Sequence, residues 1–491
     1  MSRIPHTDQA AALLRHARGA TPFTSQDGQP CASVPGSLDS RHVHPIRSAA
    51  FRDWLTNNFY NEFEMPPSPE AFRTVLCTLE ARARYGDFPS QRLDHRLGFE
   101  GDPLIPSKII LDLANSSGEV LEIDSHGWRL RDNMQHSFRQ SITTLALPHP
   151  IAPPGGNLTA DTSALDQFAR LFSLDATDRA RVFAWLIGAL RPAGPYPILI
   201  LHGPVNSGKT VLARALRALI DPSPALIRRL PDRADDLMPL AFENWILAFD
   251  DTYGFSAKIS EALCAISSGD ALRISQSDSR DALEFEIARP IILAAPHDET
   301  KPAWTPGRSL SNRTVMIQRA PIQRLYPEAA LWSEFESLRP AMLAALAQAA
   351  ATALHRIRNI DLPSATRFPD AAVWAAAAAP AFGLSEQTMV QAITDPAAIW
   401  IGSDPLRDAL CTLLAPHAAW TGDATHLLNQ LRVIAPRAEL PNTPKDLSQA
   451  LPGIPGFRVQ WTRTPQGGRA LTISRAAEDQ QESTAGYMNR I

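Results

Sequence analysis

Short runs of consecutive apolar residues mark the middle of the chain. They cover Ile198–Leu201, 244–249, 289–294 and Thr314–Ile317. Runs without polar alternation are typical of strands that are buried on both faces of a parallel sheet. Helical patterns lie around these runs, so the sequence predicts an α/β fold. The helices predicted there are Leu165–Leu171, Thr177–Leu190, Val211–Ile220, Ser256–Ile266 and Pro327–Arg358, with a further helical unit over 366–392.

The N-terminal part of the chain has a different pattern. Residues 1–47 are polar and rich in Gly, Pro, Ser and His, which indicates a flexible arm with a short helix near Asp8–Arg18. Residues 48–156 combine two helical patterns with short strand patterns, and they predict a small α+β module. Its predicted elements are the helices Ala49–Tyr60 and Pro69–Tyr85 and the strands Lys108–Leu113, Val120–Ile123 and Gly127–Arg131.

A basic cluster closes the predicted arm. Residues Arg41 to Arg47 read Arg-His-Val-His-Pro-Ile-Arg. The cluster could contact a phosphate backbone, but a solvated linker is the favoured interpretation.

The C-terminal part predicts three helices followed by a β-hairpin. The helices are Asp404–Leu414, Asp423–Ile434 and Thr443–Leu451, and the hairpin strands are Phe457–Arg463 and Arg469–Arg475. This succession resembles a winged helix. Three basic side chains of the wing, Arg458, Arg463 and Arg469, are candidates for DNA phosphate contacts. Because winged helices also bind proteins, that alternative stays open.

Composition adds few constraints to this picture. The chain has 491 residues, 44% hydrophobic and 20% charged, with a formal net charge of −4. This length suggests about three domains, and the weak net charge means that any nucleic-acid contact depends on local patches. The four cysteines have neither metal-ligand nor disulfide spacing, and no apolar stretch is long enough to span a membrane. We therefore expect a cytoplasmic protein without a membrane partner.

One loop carries the clearest chemistry. The pattern Gly-x-x-x-x-Gly-Lys-Thr follows the strand at Ile198–Leu201 and precedes a helix, which is the context of a phosphate-binding P-loop. The two glycines allow backbone N–H groups to point at phosphate oxygens, Lys209 supplies a positive charge, and the Thr210 hydroxyl can bind Mg²⁺. The predicted nucleotide-binding residues are Gly203, Pro204, Val205, Asn206, Ser207, Gly208, Lys209 and Thr210.

Two carboxylates end the apolar run that follows the loop. Asp250 and Asp251 stand about forty residues after the P-loop, where the first acid supports Mg²⁺ and the second can polarise the attacking water. The sequence therefore predicts a site for ATP and Mg²⁺, with Thr210 and Asp250 at the metal.

This succession of motifs resembles the superfamily 3 helicases of viruses, phages and mobile elements, within the AAA+ ATPases. The resemblance covers roughly residues 50–475 and includes Gly269-Asp270 before a predicted hairpin over 271–288. It implies that Arg313 is an arginine finger acting on the ATP of a neighbouring subunit. It also implies that Ser277 and Arg280, in the hairpin, contact DNA in the channel of a homo-oligomeric ring, which is expected to be a hexamer. The catalytic residues implied are Lys209, Asp250, Asp251 and Arg313.

The resemblance sets the expected organisation and function. We expect an ATP-dependent helicase or translocase that acts on single-stranded or forked DNA during replication of a phage or mobile element. The expected segments are a flexible arm (1–47), an α+β module (48–156), an AAA+ ATPase core (157–360), a helical connector (361–402), a winged-helix-like domain (403–475) and a disordered tail (476–491).

One position departs from the family pattern. The strand over 289–294 is expected to end in an asparagine that orients the attacking water, but Ala294 stands there. Two alternatives therefore stay open: a catalytically weak, ATP-gated platform that binds DNA at an origin, and an ATPase of anti-phage defence.

Overall fold

The computed structural model of the protein shows a mixed α/β fold. The described residues form two compact units, one from 1–296 with 313–397 and the other from 297–312 with 398–491. The structure describes residues 6–35, 41–133, 136–139, 143–151, 162–252, 256–275, 282–296, 310, 312–322, 327–362, 366–395, 405–415, 419–435, 440–441, 443–451, 454, 457–463 and 469–475.

The N-terminal residues of the first unit form a folded layer. Helix α1 (His6–His16) and strands β1 (Thr21–Thr24), β2 (Pro30–Pro35) and β3 (Arg41–Pro45) precede helices α2 (Ala49–Phe63) and α3 (Pro69–Tyr85). The three strands form an antiparallel sheet in the order β1-β2-β3. Apolar residues of α1, such as Leu13, are buried against α2 and α3.

The flexible arm predicted over residues 1–47 is therefore wrong for the part that the structure describes. Turn-forming residues dominate this stretch, so its short strands were not apparent from the sequence. The inward side chains of these strands, Phe23 and Val34 among them, are buried. The arginines of the basic cluster have structural contacts. Arg41 donates from Nε to Ser33 Oγ at 2.8 Å, and Arg47 donates to both carboxylate oxygens of Glu80 at 2.7 and 3.0 Å.

A four-stranded antiparallel sheet follows, in the order β5-β6-β7-β8. Three of its strands were predicted, and β5 was not, because its sequence Leu-Gly-Phe-Glu-Gly carries two glycines. The strands are β4 (Leu93–Asp94), β5 (Leu97–Gly101), β6 (Pro106–Asp112), β7 (Glu119–Asp124), β8 (Gly127–Asp132) and β9 (Ser137–Phe138), of which β4 and β9 pair separately.

The largest sheet among the described residues of this unit has five parallel strands in the order β11-β12-β15-β10-β16. These strands are β10 (Ile198–Gly203), β11 (Arg228–Arg229), β12 (Leu247–Asp250), β15 (Ile291–Pro296) and β16 (Thr314–Gln318), and the hairpin strands β13 (Ala271–Ser275) and β14 (Ala282–Glu286) lie outside the sheet. All six residues of β10 are buried. The predicted parallel sheet is thus present, and its interior strand β10 is covered on both faces.

Helices cover this sheet and share one large core with it. Helix α5 is buried along most of its length, and the indole N–H groups of Trp245 and Trp374 donate to its carbonyls at Ala189 and Ile187. Trp374 and Phe382, which belong to the helical unit predicted over 366–392, are 1% and 0% exposed. The helices are α4 (Ser163–Leu171), α5 (Ala176–Ala189), α6 (Lys209–Ile220), α7 (Leu237–Glu243), α8 (Ala257–Ser268), α9 (Glu328–Arg356), α10 (Pro369–Ala378) and α11 (Glu386–Thr394).

The second unit has the helices and the hairpin predicted for it, with one additional strand. Its sheet has the order β17-β19-β18, and Thr443 caps the last helix by accepting a hydrogen bond from the Asp446 N–H at 3.2 Å. The additional strand, β17, is short and was not apparent from the sequence. The elements are α12 (Pro405–Leu413), β17 (Ala419–Gly422), α13 (Ala424–Ile434), α14 (Pro444–Ala450), β18 (Phe457–Arg463) and β19 (Arg469–Arg475).

A buried carboxylate joins the N-terminal sheets to the parallel sheet. Asp221, which follows α6, accepts hydrogen bonds from the backbone N–H groups of Trp245 and Ile246, both at 3.0 Å. The fully buried Arg96 lies 3.3 Å from Asp221 and also donates to the carbonyls of Asp112 and Leu145. Burial by itself raises the pKa of Asp221, but Arg96 and Arg217 outweigh it and hold that pKa below its usual range.

We expect Asp221→Asn to lower the free energy of unfolding by about 3–5 kcal/mol, because it leaves the charge of a buried arginine uncompensated. Urea unfolding followed by tryptophan fluorescence measures the change, since Trp245 is a direct neighbour. The exposed Asp232→Asn serves as the control and should shift the midpoint little. Equal midpoints for the two variants would contradict a structural role of Asp221.

Candidate nucleotide-binding site

The loop after β10 lies at the carboxyl edge of the parallel sheet. The backbone of this loop requires glycine at its two ends. Gly203 has φ of 155°, and a Cβ there would lie 2.4 Å from the carbonyl oxygen of Arg319. Gly208 has φ of 75° and immediately precedes α6, and Asn206 between them has φ of 62°. The chain therefore curls back sharply before the helix begins, as the sequence pattern predicted.

The side chains of Lys209 and Ser207 lie over the curled loop. Lys209 Nζ donates to the Pro204 carbonyl at 2.6 Å and to Ser207 Oγ at 3.1 Å, and Ser207 Oγ donates to the same carbonyl at 2.8 Å. Burial lowers the pKa of the Lys209 ammonium, and the Asp250 carboxylate opposes this shift. A positive charge thus stands at the first turn of α6, where the helix N-terminus adds to its attraction for anions.

The loop and the acidic strand end meet across one interposed strand. Thr210 Oγ1 lies 3.2 Å from Asp250 Oδ1, although β15 separates β10 from β12 in the sheet. Asp251 has φ of 51°, its N–H donates to Asp250 Oδ1 at 3.0 Å, and its side chain is exposed. The Thr210 hydroxyl and the carboxylates of Asp250 and Asp251 thus lie beside the loop. Oxygen atoms of this kind are the ligands that Mg²⁺ prefers.

These residues line a cavity of about 600 Å³. The loop, Asp250 and Asp251 supply polar groups to its lining. Its apolar lining residues are Leu171, Phe172, Ile322 and Leu331.

Arg319 holds the walls of this cavity together. Its buried guanidinium donates to the carbonyls of Phe172, Ser173 and Ser207, and its Nη1 lies 3.4 Å from Asp178 Oδ2. Its backbone N–H also donates to the His202 carbonyl at 2.7 Å. Burial raises the pKa of Asp178, as does Asp175, and Arg319 opposes both effects. Sequence reasoning missed Arg319, because its partners are far away in sequence and no motif surrounds it.

The strand expected to end at Ala294 continues to Pro296. Ala294 is fully buried and is paired with Leu201, whereas the residue level with Gly203 is Pro296. The carbonyl of Ala294 accepts hydrogen bonds from both the N–H and the hydroxyl of Thr252 at 3.1 Å. The expectation that Ala294 occupies the strand end is therefore wrong. The pairing with β10 extends the strand by two residues, and His297, which follows, lies outside the described residues.

Arg313 lies at the opposite edge of the sheet from the loop. Its carbonyl accepts a hydrogen bond from the N–H of Ile198, the first residue of β10, and its Nε donates to Ser268 Oγ at 3.1 Å. The length of β10 places it about 16 Å from Gly203, at about 3.3 Å per residue. Arg313 is therefore not part of the cavity formed by its own chain.

The residues predicted to contact DNA are described only in part. Ser277 and Arg280 lie outside the described residues, between β13 and β14. Arg458 is exposed on β18, whereas for Arg463 and Arg469 the structure describes the backbone alone, in which they form the last pair of the β18–β19 register.

The described residues show neither a membrane-spanning helix nor a cluster of metal ligands. None of the helices in the described part of the chain is long and apolar enough to cross a membrane. In the same part, no group of three or more His, Cys, Asp or Glu side chains is arranged to hold a metal ion.

Comparisons with known proteins give one informative match. Residues 165–397, just under half of the chain, match the family model of the actinomycete integrative conjugative element replication protein, AICE RepA. This segment contains the parallel sheet, the loop and the helices that cover them. No curated protein matches the sequence.

Solved structures resemble the chain over nearly its whole length, at low similarity. The C-terminal region of NrS-1, in its A-form apo structure, shares 10% identity over 95% of this chain and 99% of that one, with a TM-score of 0.44. The active helicase Cch of SCCmec type IV shares 11% identity over 95% of this chain and 94% of that one, with a TM-score of 0.42. At these values the likeness carries no argument about activity.

We expect Arg319→Lys to weaken ATP binding about tenfold or more, the equivalent of losing one charge-assisted hydrogen bond. An ammonium cannot replace the forked donors that reach both Ser207 and the 172–173 carbonyls. Titration calorimetry with a non-hydrolysable ATP analogue measures the effect. Arg233→Lys, at a side chain that is 74% exposed, provides the control. Unchanged affinity in Arg319→Lys would contradict this role.

Proposed function

We propose that the protein is a P-loop ATPase of the AAA+ type that drives a DNA helicase or translocase in the replication of a mobile element. The observation that carries the proposal is the meeting of Thr210 and Asp250 at 3.2 Å. A P-loop hydroxyl beside a carboxylate at the end of a parallel strand is the arrangement that supports Mg²⁺ in phosphoryl transfer.

The cavity fits a nucleoside triphosphate in size and polarity. A volume of about 600 Å³ lies within the range of small-molecule sites, and its lining offers polar groups for a phosphate chain and apolar side chains for a base. Lys209 and the loop N–H groups would bind the phosphates, while Thr210 and Asp250 would hold Mg²⁺. The metal would neutralise phosphate charge. Asp251, whose side chain lines the cavity beside them, would orient the attacking water.

The position of Ala294 in β15 does not support a catalytically weak protein. Because Ala294 is buried two residues before the level of Gly203, its lack of an amide says nothing about the residue that faces the attacking water. We therefore propose that the protein hydrolyses ATP. Binding of ATP without turnover is the alternative that the experiment below can detect.

The position of Arg313 favours an assembly in which it serves a neighbouring subunit. It lies at the edge of the sheet away from its own cavity, so it can reach a nucleotide only in another chain. A head-to-tail contact of this kind generates a ring when the rotation closes. We propose a hexameric ring with Arg313 as the arginine finger.

The match to a replication protein of an integrative conjugative element supports the replication role over a role in defence. The second unit has three helices and a three-stranded sheet. We propose that it is a winged helix that contacts DNA through Arg458, Arg463 and Arg469. In the hairpin that follows Gly269, Ser277 and Arg280 are proposed to contact single-stranded DNA.

We expect steady-state ATP hydrolysis that single-stranded DNA stimulates and that Lys209→Ala reduces by at least about a hundredfold, because the variant loses the charge that stabilises the transferring phosphoryl group. Turnover with and without an oligonucleotide measures this. Binding of ATP without turnover under either condition would contradict a motor and indicate an ATP-gated DNA-binding platform.

We expect Arg313→Ala to lose about 10³-fold or more in turnover while it retains ATP affinity, because the finger acts on the transition state. A mixing experiment separates this from a folding defect. Equal amounts of Lys209→Ala and Arg313→Ala proteins should recover roughly a quarter of wild-type activity, since random mixing completes that fraction of head-to-tail interfaces. If the mixture stays as inactive as either variant, Arg313 does not act between subunits.

A further inference from the structure

A second cleft lies in the N-terminal layer, between α2 and α3. Its volume is about 530 Å³. Residues of both helices and of the proline-rich connection between them form its walls. They are Arg47, Ala49, Arg52, Asp53, Thr56, Pro66, Pro67, Pro69, Phe72, Arg73, Leu76 and Cys77.

Positive charge dominates the lining of this cleft. Arg47 is paired with Glu80, which leaves Arg52 and Arg73 as exposed guanidinium groups. Neither has a carboxylate oxygen within 4.0 Å among the residues that the structure describes. One carboxylate, Asp53, also lines the cleft. The net positive charge of the lining favours an anionic ligand.

An aromatic ring also lines the cleft. Phe72 is partly exposed, and the Arg52 guanidinium lies 6.0 Å from its ring centroid. The two helices that carry these side chains are fixed at their starts, because Ser48 and Ser68 each accept a hydrogen bond from a backbone N–H of the first turn. Prolines at 66, 67 and 69 stiffen the adjoining wall. Cationic side chains beside an aromatic ring are the combination that binds single-stranded nucleic acid.

We propose that this cleft is a binding site for single-stranded DNA, in which Arg52 and Arg73 contact successive phosphates and an unpaired base stacks on Phe72. An aromatic ring in the lining can stack on an unpaired base, whereas the bases of a duplex are stacked on each other. The proposal rests on the proposed function only in its choice of DNA as the partner. Nucleotide binding and hydrolysis at the β10 loop are not needed for it.

The first test is the affinity of the full chain for a fluorescent oligothymidine, measured by anisotropy without ATP. We expect Arg52→Gln/Arg73→Gln to bind about tenfold more weakly at low salt. Its slope of log affinity against log salt concentration should fall by about 1.4, at about 0.7 per lost phosphate contact. Because no nucleotide is present, a failure of the proposed ATPase cannot produce this result or conceal it.

Arg82→Gln/Arg84→Gln is the matched control. Both residues are exposed in the last turn of α3, outside the cleft, and the pair removes the same charge. The control should keep the wild-type salt slope. Equal losses in the two pairs would overturn the proposal in favour of a general charge effect, and wild-type binding by the Arg52/Arg73 pair would overturn it directly.

Cys77 provides a second measurement at the site itself. It is exposed and lines the cleft, whereas Cys31 and Cys264 are buried and Cys411 is partly exposed. In a Cys411→Ser background, saturating oligothymidine should slow the reaction of Cys77 with a maleimide several-fold. An unchanged rate at saturation would overturn the proposal even if DNA binds elsewhere on the chain.

Discussion

The parallel pairing of β10 with β15 and β16 is the constraint on which the candidate site depends. It brings the loop after Gly203, the end of β15 and the start of the segment after β16 to one edge of the sheet. The pairing of β12 with β15 places Asp250 at that edge as well. Because every residue of β10 is buried, a shift of register would expose polar backbone and misplace all of these groups together. The short Thr210–Asp250 distance is a consequence of that register.

Buried arginines then fix the segments that the sheet does not hold. Arg319 joins the loop to the 172–173 turn, Arg217 donates to Asn244 and to the carbonyl of Ala225, and Arg96 reaches across to Asp221. Arginine greatly outnumbers lysine in this chain, which by itself suggests only a compositional bias. The structure gives several arginines a defined role, since one planar guanidinium can satisfy several carbonyls where a lysine would satisfy fewer.

The sequence predicted those features whose interacting residues lie close together along the chain. The loop, its strand, its helix and the carboxylates at 250 and 251 are contiguous motifs, and the sequence located them. Arg319 acts on residues 112 to 147 positions away, so no local pattern could reveal it. The strands β1 to β3 were missed for another reason. Prolines and glycines reduced their apparent strand propensity, and burial against α1, α2 and α3 compensated. The end of β15 was placed too early at Ala294, although the nonpolar sequence continues through Ala295 to Pro296, which pairs with Gly203.

Strand β16 lies between two arginines that have different proposed roles. Arg319 follows its carboxyl end and holds the cavity of its own chain, whereas Arg313 precedes its amino end at the far edge of the sheet. In the proposed ring, Arg313 would contact the nucleotide of one neighbour while the cavity beside Arg319 receives the finger of the other. Because β16 is paired with β10 along its whole length, a displacement of this part of the sheet would move both arginines together. The strand pairing that positions the loop therefore also fixes the distance between Arg313 and Arg319. Through it, the two nucleotide sites that these arginines would contact could influence each other without a flexible segment between them.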